Sequence, residues 1–145
     1  MKKLSFSIKI SASKVDVWNT LWNHDTFLIW ANIIDEGTYM LGEMKQGNEV
    51  QFISSVNGYG VTSLIDKLLP YQYICFKHGA DTKESGRKKR DKEWTGGEES
   101  YTLTESNGVT TLQIESDIPS ELEKYFELKL PKALEQIKLL AEMKQ

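Results

Sequence analysis

The hydrophobic positions of this chain change their period along its length. From Leu4 to Ile10, apolar residues alternate with serine and lysine, which is the two-residue period of a half-buried strand. Apolar residues then recur at helical spacing in two short segments, one capped by Ser13 and one starting near Asp25. Helices this short are not stable alone, so both must pack against another part of the fold.

Six further strands are predicted after the short helices, where glycines separate short apolar stretches. They span residues 34–41, 49–56, 59–69, 71–78, 99–105 and 109–116. Asn57-Gly58 and Asn107-Gly108 are hairpin-turn signals between neighbouring strands. Consecutive strands joined by short turns form an antiparallel sheet, and such a sheet needs an apolar cover on its buried face.

Residues 120–143 are predicted to be that cover, because they form the longest amphipathic segment of the chain. Ser120 and Glu123 have the spacing of a capping box at its start. Pro131 lies inside the apolar pattern and predicts a kink or a split of the helix there. The expected fold class is α+β, with a curved antiparallel sheet of about seven strands around a long C-terminal helix.

Composition narrows the class of protein. A length of 145 residues, with 39% hydrophobic and 27% charged residues, predicts a single globular domain over residues 1–145. A net charge of −3 is too small for a general nucleic-acid binder, and no apolar run reaches the length of a membrane span. The single Cys75 cannot close an intrachain disulfide, which agrees with a reducing compartment. We therefore expect a soluble, cytoplasmic protein.

Several short motifs occur in an order that resembles one superfamily. They are Ile10-Ser11-Ala12-Ser13 followed by Val17-Trp18, Leu21 and Trp30, then Leu68-Leu69-Pro70 with Ile74 and Phe76, then Trp94-Thr95-Gly96, and finally Leu134-Glu135-Gln136-Ile137-Lys138. The chain resembles the START-like, helix-grip superfamily (SRPBCC), and within it proteins similar to the C-terminal domain of the heat-shock-protein-90 ATPase activator. The resemblance implies a cavity for a small hydrophobic or amphipathic molecule between sheet and helix. It does not extend to the activator's separate N-terminal domain, so chaperone stimulation is not carried over.

Motifs of common catalytic and cofactor sites are missing from the sequence. It contains no phosphate-binding loop, no nucleophile elbow, no dinucleotide fingerprint and no C-x-x-C pair. His24 and His78 have no metal-ligand spacing, and Cys75 and His78 fall on opposite faces of one strand. The sequence therefore predicts no catalytic residue, no metal and no cofactor.

Strand parity predicts which side chains face the long helix. The inner rows are Ile74, Phe76 and His78 in one strand, Glu99, Tyr101 and Leu103 in the next, and Thr110, Leu112 and Ile114 in the last. His78 and Glu99 should then lie roughly opposite each other at the rim of the cavity. We expect this pair to be the polar anchor of an otherwise apolar pocket. The alternative is a solvated pair that contributes little to stability.

Eleven residues are candidates for the wall of the cavity. They are Trp30, Phe52, Phe76, His78, Trp94, Glu99, Tyr101, Leu112, Phe126, Leu130 and Leu134. Aromatic residues of the short helices are more often core than ligand contacts, and Trp18 is assigned to the core on that basis. Trp30 is expected at the mouth, where core and pocket roles are equally supported.

Residues 81–97 form a long, highly charged segment without clear period. Its basic run, residues 87–90, is flanked by acidic residues and is typical of a solvated loop. Trp94 is expected to pack over the cavity mouth as part of a lid.

Three functions remain open from the sequence. The leading one is binding of a small hydrophobic or amphipathic ligand. The second is a cyclase- or hydrolase-like enzyme in which His78 and Glu99 form an acid–base pair. The third is a protein-interaction module that acts through residues 81–97, although no motif supports a particular protein partner.

Overall fold

Seven antiparallel strands and three α-helices build the part of the chain that the structure describes. The computed structural model describes residues 1–83 and 94–143, and it gives the backbone alone at 80–83. The strands are β1 (Lys2–Ile10), β2 (Thr38–Leu41), β3 (Glu49–Ser54), β4 (Tyr59–Leu69), β5 (Tyr73–Lys83), β6 (Glu98–Ser106) and β7 (Val109–Ile118). The helices are α1 (Lys14–Trp22), α2 (His24–Ile34) and α3 (Glu123–Glu142), with a short 3-10 turn at Ser120–Leu122 before α3.

The sheet order is β1-β7-β6-β5-β4-β3-β2, so β2 to β7 form a meander and β1 closes it by pairing with β7. The long C-terminal helix lies in the curve of this sheet. The prediction of an α+β helix-grip fold with seven strands is confirmed. Among the described residues, no helix has the length and apolarity that a membrane crossing requires.

Aromatic side chains of the two short helices form the centre of the core. The Trp22 ring contacts those of Phe27, Trp30, Phe76 and Tyr101, with ring centroids 4.9 to 6.3 Å apart. Each such pair contributes about 0.5–1.5 kcal/mol beyond the burial of its area. This cluster explains how helices too short to be stable alone are held against the sheet. The neighbouring Trp18 is also buried, at 9% exposure.

The start of α3 differs from the prediction. Ser120 lies in the 3-10 turn, the N-cap position of α3 is Leu122, and no side chain caps the helix. The turn closes through a hydrogen bond from the Leu122 backbone N–H to the carbonyl of Pro119. The predicted capping box is therefore wrong. The tight first turn satisfies the backbone locally and places Ser120 outside the α-helix.

The helix is continuous through Pro131, so it is not split there. The two halves of α3 nevertheless differ in burial. After Pro131, the buried residues Ala133, Leu134, Ile137 and Ala141 pack in the core. Before Pro131, only Leu130 is fully buried. The first half of α3 therefore lies over space that side chains do not fill.

Several strand boundaries also differ from the sequence analysis. α2 continues to Ile34, so β2 begins at Thr38 rather than at residue 34. Tyr71 adopts a positive φ of 67° in the turn between β4 and β5, and β5 therefore starts at Tyr73. At its other end β5 continues to Lys83, so the first residues of the predicted charged loop belong to a strand. Its basic run at 87–90 lies outside the described residues.

The two predicted hairpin turns have different forms. Asn107 and Gly108 form a two-residue turn with φ values of 53° and 77°, as a type I′ hairpin requires. The connection from Ser54 to Tyr59 is longer, and there Gly58 alone of the Asn57-Gly58 pair has a positive φ.

Candidate functional site

A cavity of about 350 Å³ lies between the sheet, α2 and the first half of α3. Eight of the eleven candidate residues line it: Trp30, Phe52, His78, Trp94, Glu99, Tyr101, Phe126 and Leu130. The other three, Phe76, Leu112 and Leu134, are in the packed core and do not line it. Phe76 is covered by the rings of Trp22 and Phe52, and Leu112 and Leu134 are buried in the same core cluster.

The cavity also has walls outside the eleven candidate residues. Phe27, Ala31 and Ile34 contribute a face of α2, and a second group comes from the β3–β4 hairpin, at Ser54, Asn57, Tyr59, Gly60 and Val61. The helical group could have been found, because its members recur at the same spacing as Trp30. The hairpin group carries no comparable signal, since its approach depends on how far the sheet curls.

A chain of polar side chains runs along one wall of the cavity. The Ser63 Oγ atom lies 2.7 Å from Nδ1 of His78, and Nε2 of His78 lies 3.4 Å from Oε1 of Glu99. The Tyr101 hydroxyl donates a short hydrogen bond to Oε2 of Glu99. We call these four residues the polar cluster.

Strand pairing positions each member of the polar cluster. Ser63 and His78 are direct partners in the β4–β5 ladder, next to an irregularity between Val61 and Ser63. On its other side, the His78 backbone bonds to Gly96 and Gly97 in the turn before β6. Glu99 is paired with Phe76, so it lies diagonally from His78 on the same face. The prediction placed the two roughly opposite each other, and the observed register differs from that by two residues.

The geometry indicates which atoms carry the protons. Because a carboxylate oxygen faces Nε2 of His78, the tautomer with hydrogen on Nε2 is favoured, and the Ser63 hydroxyl then donates to Nδ1. Burial raises the pKa of the Glu99 carboxyl, but the nearby Nε2–H group of His78, the electrostatic attraction of this ring and the hydrogen bond from Tyr101 together lower it more. The net result is a pKa below the usual range, so Glu99 is ionised at neutral pH.

The pKa of Tyr101 is shifted in the opposite direction, upward. Burial, followed by the charge of Glu99 and the hydrogen bond to it, raises the pKa of Tyr101 well above its usual range. Its hydroxyl therefore stays protonated and remains a donor to Glu99.

The members of the cluster differ in access to the cavity. Ser63 is fully buried and does not line the cavity. Nε2 of His78 is also buried and has no aligned hydrogen-bond partner within the described residues. The Glu99 side chain is 26% exposed and lines the cavity. Glu99 is therefore the charged member that a bound molecule can reach, while Nε2 of His78 and the Ser63 side chain are buried.

Aromatic rings border the same cavity near α3. The half-buried Trp94 ring lies 5.7 Å from His78 and 5.5 Å from Phe126, measured between ring centroids. The Tyr125 hydroxyl donates to the carbonyl of Ile34, which ties α3 to the end of α2. These contacts give the cavity an aromatic border, and the role of Trp94 as a lid stays a prediction.

Comparison with known proteins identifies the fold of this chain but not its function. No protein-family model matches the chain, and no curated protein matches its sequence. Among solved structures, MLL2253 from Mesorhizobium loti has a TM-score of 0.77 at 12% identity, over 99% of both chains. The Aha1 dimer from Colwellia psychrerythraea has a TM-score of 0.72 at 19% identity, over 98% of this chain and 97% of that one. CalU16 from Micromonospora echinospora has a TM-score of 0.62 at 16% identity, over 94% and 72%.

At these identities, the similarity establishes a common fold. The resemblance noted in the sequence is therefore supported at the level of architecture, which this chain shares with the Aha1 structure.

Proposed function

We propose that this protein binds a small hydrophobic or amphipathic molecule in the cavity between its sheet and the first half of α3. The observation that carries the proposal is the cavity itself. Its volume of about 350 Å³ falls within the range of small-molecule sites, roughly 300–1,000 Å³. Its walls are mainly aromatic and aliphatic, with a few convergent polar groups, as in most ligand pockets.

The division of α3 at Pro131 supports this function. The half of the helix after Pro131 is held in the core by Ala133, Leu134 and Ile137. The half before it carries Phe126 and Leu130 over the open space. Stability and binding thus depend on different halves of one helix, and a ligand can be accommodated without disturbing the core.

The enzyme alternative receives less support from the geometry. The row of Ser63, His78 and Glu99 has the residue types of a hydrolase triad, but Ser63 is fully buried. A nucleophile must contact its substrate, and here the serine is at the protected end of the row. Nε2 of His78 is likewise buried, so an acid–base role for His78 would require the cluster to rearrange.

Native mass spectrometry of the protein purified without detergent tests the proposal. A bound mass that is lost on denaturation, or an increase in melting temperature with members of a lipid and aromatic library, is the expected result. The proposal is refuted if the purified protein carries no bound mass and no compound of the library changes its melting temperature.

A cavity-filling variant shows whether such binding occurs at this site. Ala31 is buried on α2 and lines the cavity, so Ala31→Leu should reduce affinity about tenfold without unfolding the protein. Ile29→Ala, an exposed change on the same helix, should leave affinity unchanged. Equal affinity of both variants would place the ligand elsewhere.

A further inference from the structure

We propose that the ligand of this cavity carries a hydrogen-bond donor, as an alcohol, a phenol or a protonated amine, and that carboxylates are rejected. The inference rests on the proposed function and specifies the chemical class of the ligand. Four properties of the site carry it: the direction of its hydrogen bonds, the access to its polar atoms, its charges and its aromatic walls.

The hydrogen bonds of the polar cluster all point toward Glu99. The Tyr101 hydroxyl donates to Oε2 of Glu99, and Nε2 of His78 faces Oε1 at 3.4 Å. A carboxylate offers about four lone-pair sites, and these two neighbours account for about two of them. The remaining capacity of the cluster is therefore acceptance of hydrogen bonds.

The group of the polar cluster that is accessible from the cavity is also a hydrogen-bond acceptor. The Glu99 side chain, which ends in an acceptor group, is 26% exposed and lines the cavity. The donor nitrogen of His78 is buried, and the Tyr101 hydroxyl hydrogen is already used. A ligand that can only accept hydrogen bonds therefore finds no free donor in this cluster, whereas a ligand that donates finds Glu99.

Charge adds discrimination between ligands of the same shape. The described residues that line the cavity include the carboxylates of Asp35 and Glu99, and no lysine or arginine is among them. An anionic ligand would leave water for a wall of like charge, where repulsion is stronger than in solution. A neutral donor or a cation avoids that penalty.

The remaining walls fit the apolar part of such a ligand. Trp30, Phe52, Trp94 and Phe126 present rings to the cavity. Aromatic rings pack well on flat apolar bodies, and their faces also attract cations. The structure thus indicates a ring-containing body with one donor group directed at Glu99.

Four compounds with one ring system separate these possibilities. Naphthol, naphthylmethylamine, naphthoic acid and methoxynaphthalene, substituted at the same position, are titrated into the full chain at neutral pH by calorimetry. Naphthol and the amine should bind about tenfold or more tightly than the methyl ether and the acid, because a hydrogen bond to a charged group is lost with the latter two. If naphthol binds more tightly than the amine, the donor group of the ligand is a neutral hydroxyl. If the amine binds more tightly than naphthol, the donor group is a cation. Both results support the proposal.

Glu99→Gln and Glu98→Gln form a matched pair of variants on the same strand. Glu99→Gln should reduce the affinity of the amine about tenfold or more and improve binding of the acid, because the charge is removed and a donor is added. Glu98 is on the outer face, with Oε1 3.6 Å from the Cys75 sulfur, so Glu98→Gln should leave all four affinities unchanged. If Glu99→Gln does not fold, Tyr101→Phe is used, which frees an acceptor site on Glu99 and should preserve or strengthen the preference for donors.

The outcomes distinguish this inference from the proposed function. If all four compounds bind equally, or the acid or the ether binds as tightly as the donors, the cavity binds ligands but the donor rule is wrong. If none of the four binds and native mass spectrometry finds no bound mass, both proposals are wrong.

Discussion

Replacing Ser63 with alanine tests whether the polar cluster is assembled as the geometry indicates. Ser63 is completely buried, and its hydroxyl lies 2.7 Å from Nδ1 of His78, which is itself 5% exposed. Ser63→Ala removes one oxygen atom and leaves Nδ1 without its partner in a place that water does not reach. A buried polar atom in that state destabilises a protein by about 1–3 kcal/mol. We expect a loss of that size, which is a large part of the roughly 5–15 kcal/mol typical of folded domains.

Urea unfolding followed by tryptophan fluorescence measures the effect, since several tryptophans lie in the core. The midpoint should fall while the m value stays constant, because the variant exposes the same surface on unfolding. Ser7→Ala is the matched control. It makes the same change at an exposed position of β1 and should alter the free energy of unfolding by about 0.5 kcal/mol or less.

A double-mutant cycle with His78→Leu isolates the contact itself. Replacing both partners with apolar residues removes the unsatisfied atoms, so the double variant should be more stable than the sum of the single effects implies. The expected coupling is about 1–2 kcal/mol. The loss of the His78 contact to Glu99 is common to the single and double variants, and it cancels in the cycle. If Ser63→Ala behaves like Ser7→Ala, or the coupling is near zero, the hydrogen bond is not formed and the cluster is not built as described.

Three other predictions follow from local features. The folded-state pKa of Glu99 is lowered, so its stabilising effect is complete above the unfolded-state pKa of about 4.3 and is lost as pH falls through the folded value. Glu99→Gln should therefore reduce the loss of unfolding free energy between about pH 6 and about pH 3, measured by urea titrations. An unchanged pH dependence of this free energy in the variant would contradict the prediction. Gly108→Ala should destabilise the protein by about 1–2 kcal/mol in the same assay, because φ is 77° there, whereas the exposed Ser106→Ala should not. Cys75 is 5% exposed and burial raises the pKa of its thiol, so a thiol reagent should label it far more slowly in the folded protein than in urea. Equal labelling rates would show that the sulfur is accessible.

Much of the fold was predictable because side-chain period reports which face of an element is buried. The β4 boundaries agree with the apolar pattern, and the row of Ile74, Phe76 and His78 faces inward as parity requires. The Asn107-Gly108 turn was also predictable, since its conformation is local.

Errors occurred where the surrounding structure decides a local choice. The capping-box spacing at Ser120 and Glu123 is present, but a 3-10 turn after Pro119 closes the backbone first. Pro131 is compatible with one continuous helix, because its position is exposed and the flanking residues Leu130 and Ala133 are buried. Neither outcome can be determined from nearby residues alone.

The candidate site shows the same division. The two-residue alternation along the strands predicted that His78, Glu99 and Tyr101 share one face, and all three line the cavity. The alternation could not distinguish these cavity residues from Phe76 or Leu112, which have the same orientation but are packed in the core. Nor could it show that Ser63 holds His78, because the pairing of β4 with β5 depends on an irregularity in the ladder.

Alternation and helical spacing are properties of each element alone, so the amino-acid pattern is enough to predict which side chains point into the protein. Which of those side chains are core and which line a cavity depends on the distance between layers, so it follows only from how the elements pack together. The first half of α3 shows this directly. Phe126 and Leu130 continue the same apolar stripe as Leu134, yet the former two lie over open space and the latter is packed in the core.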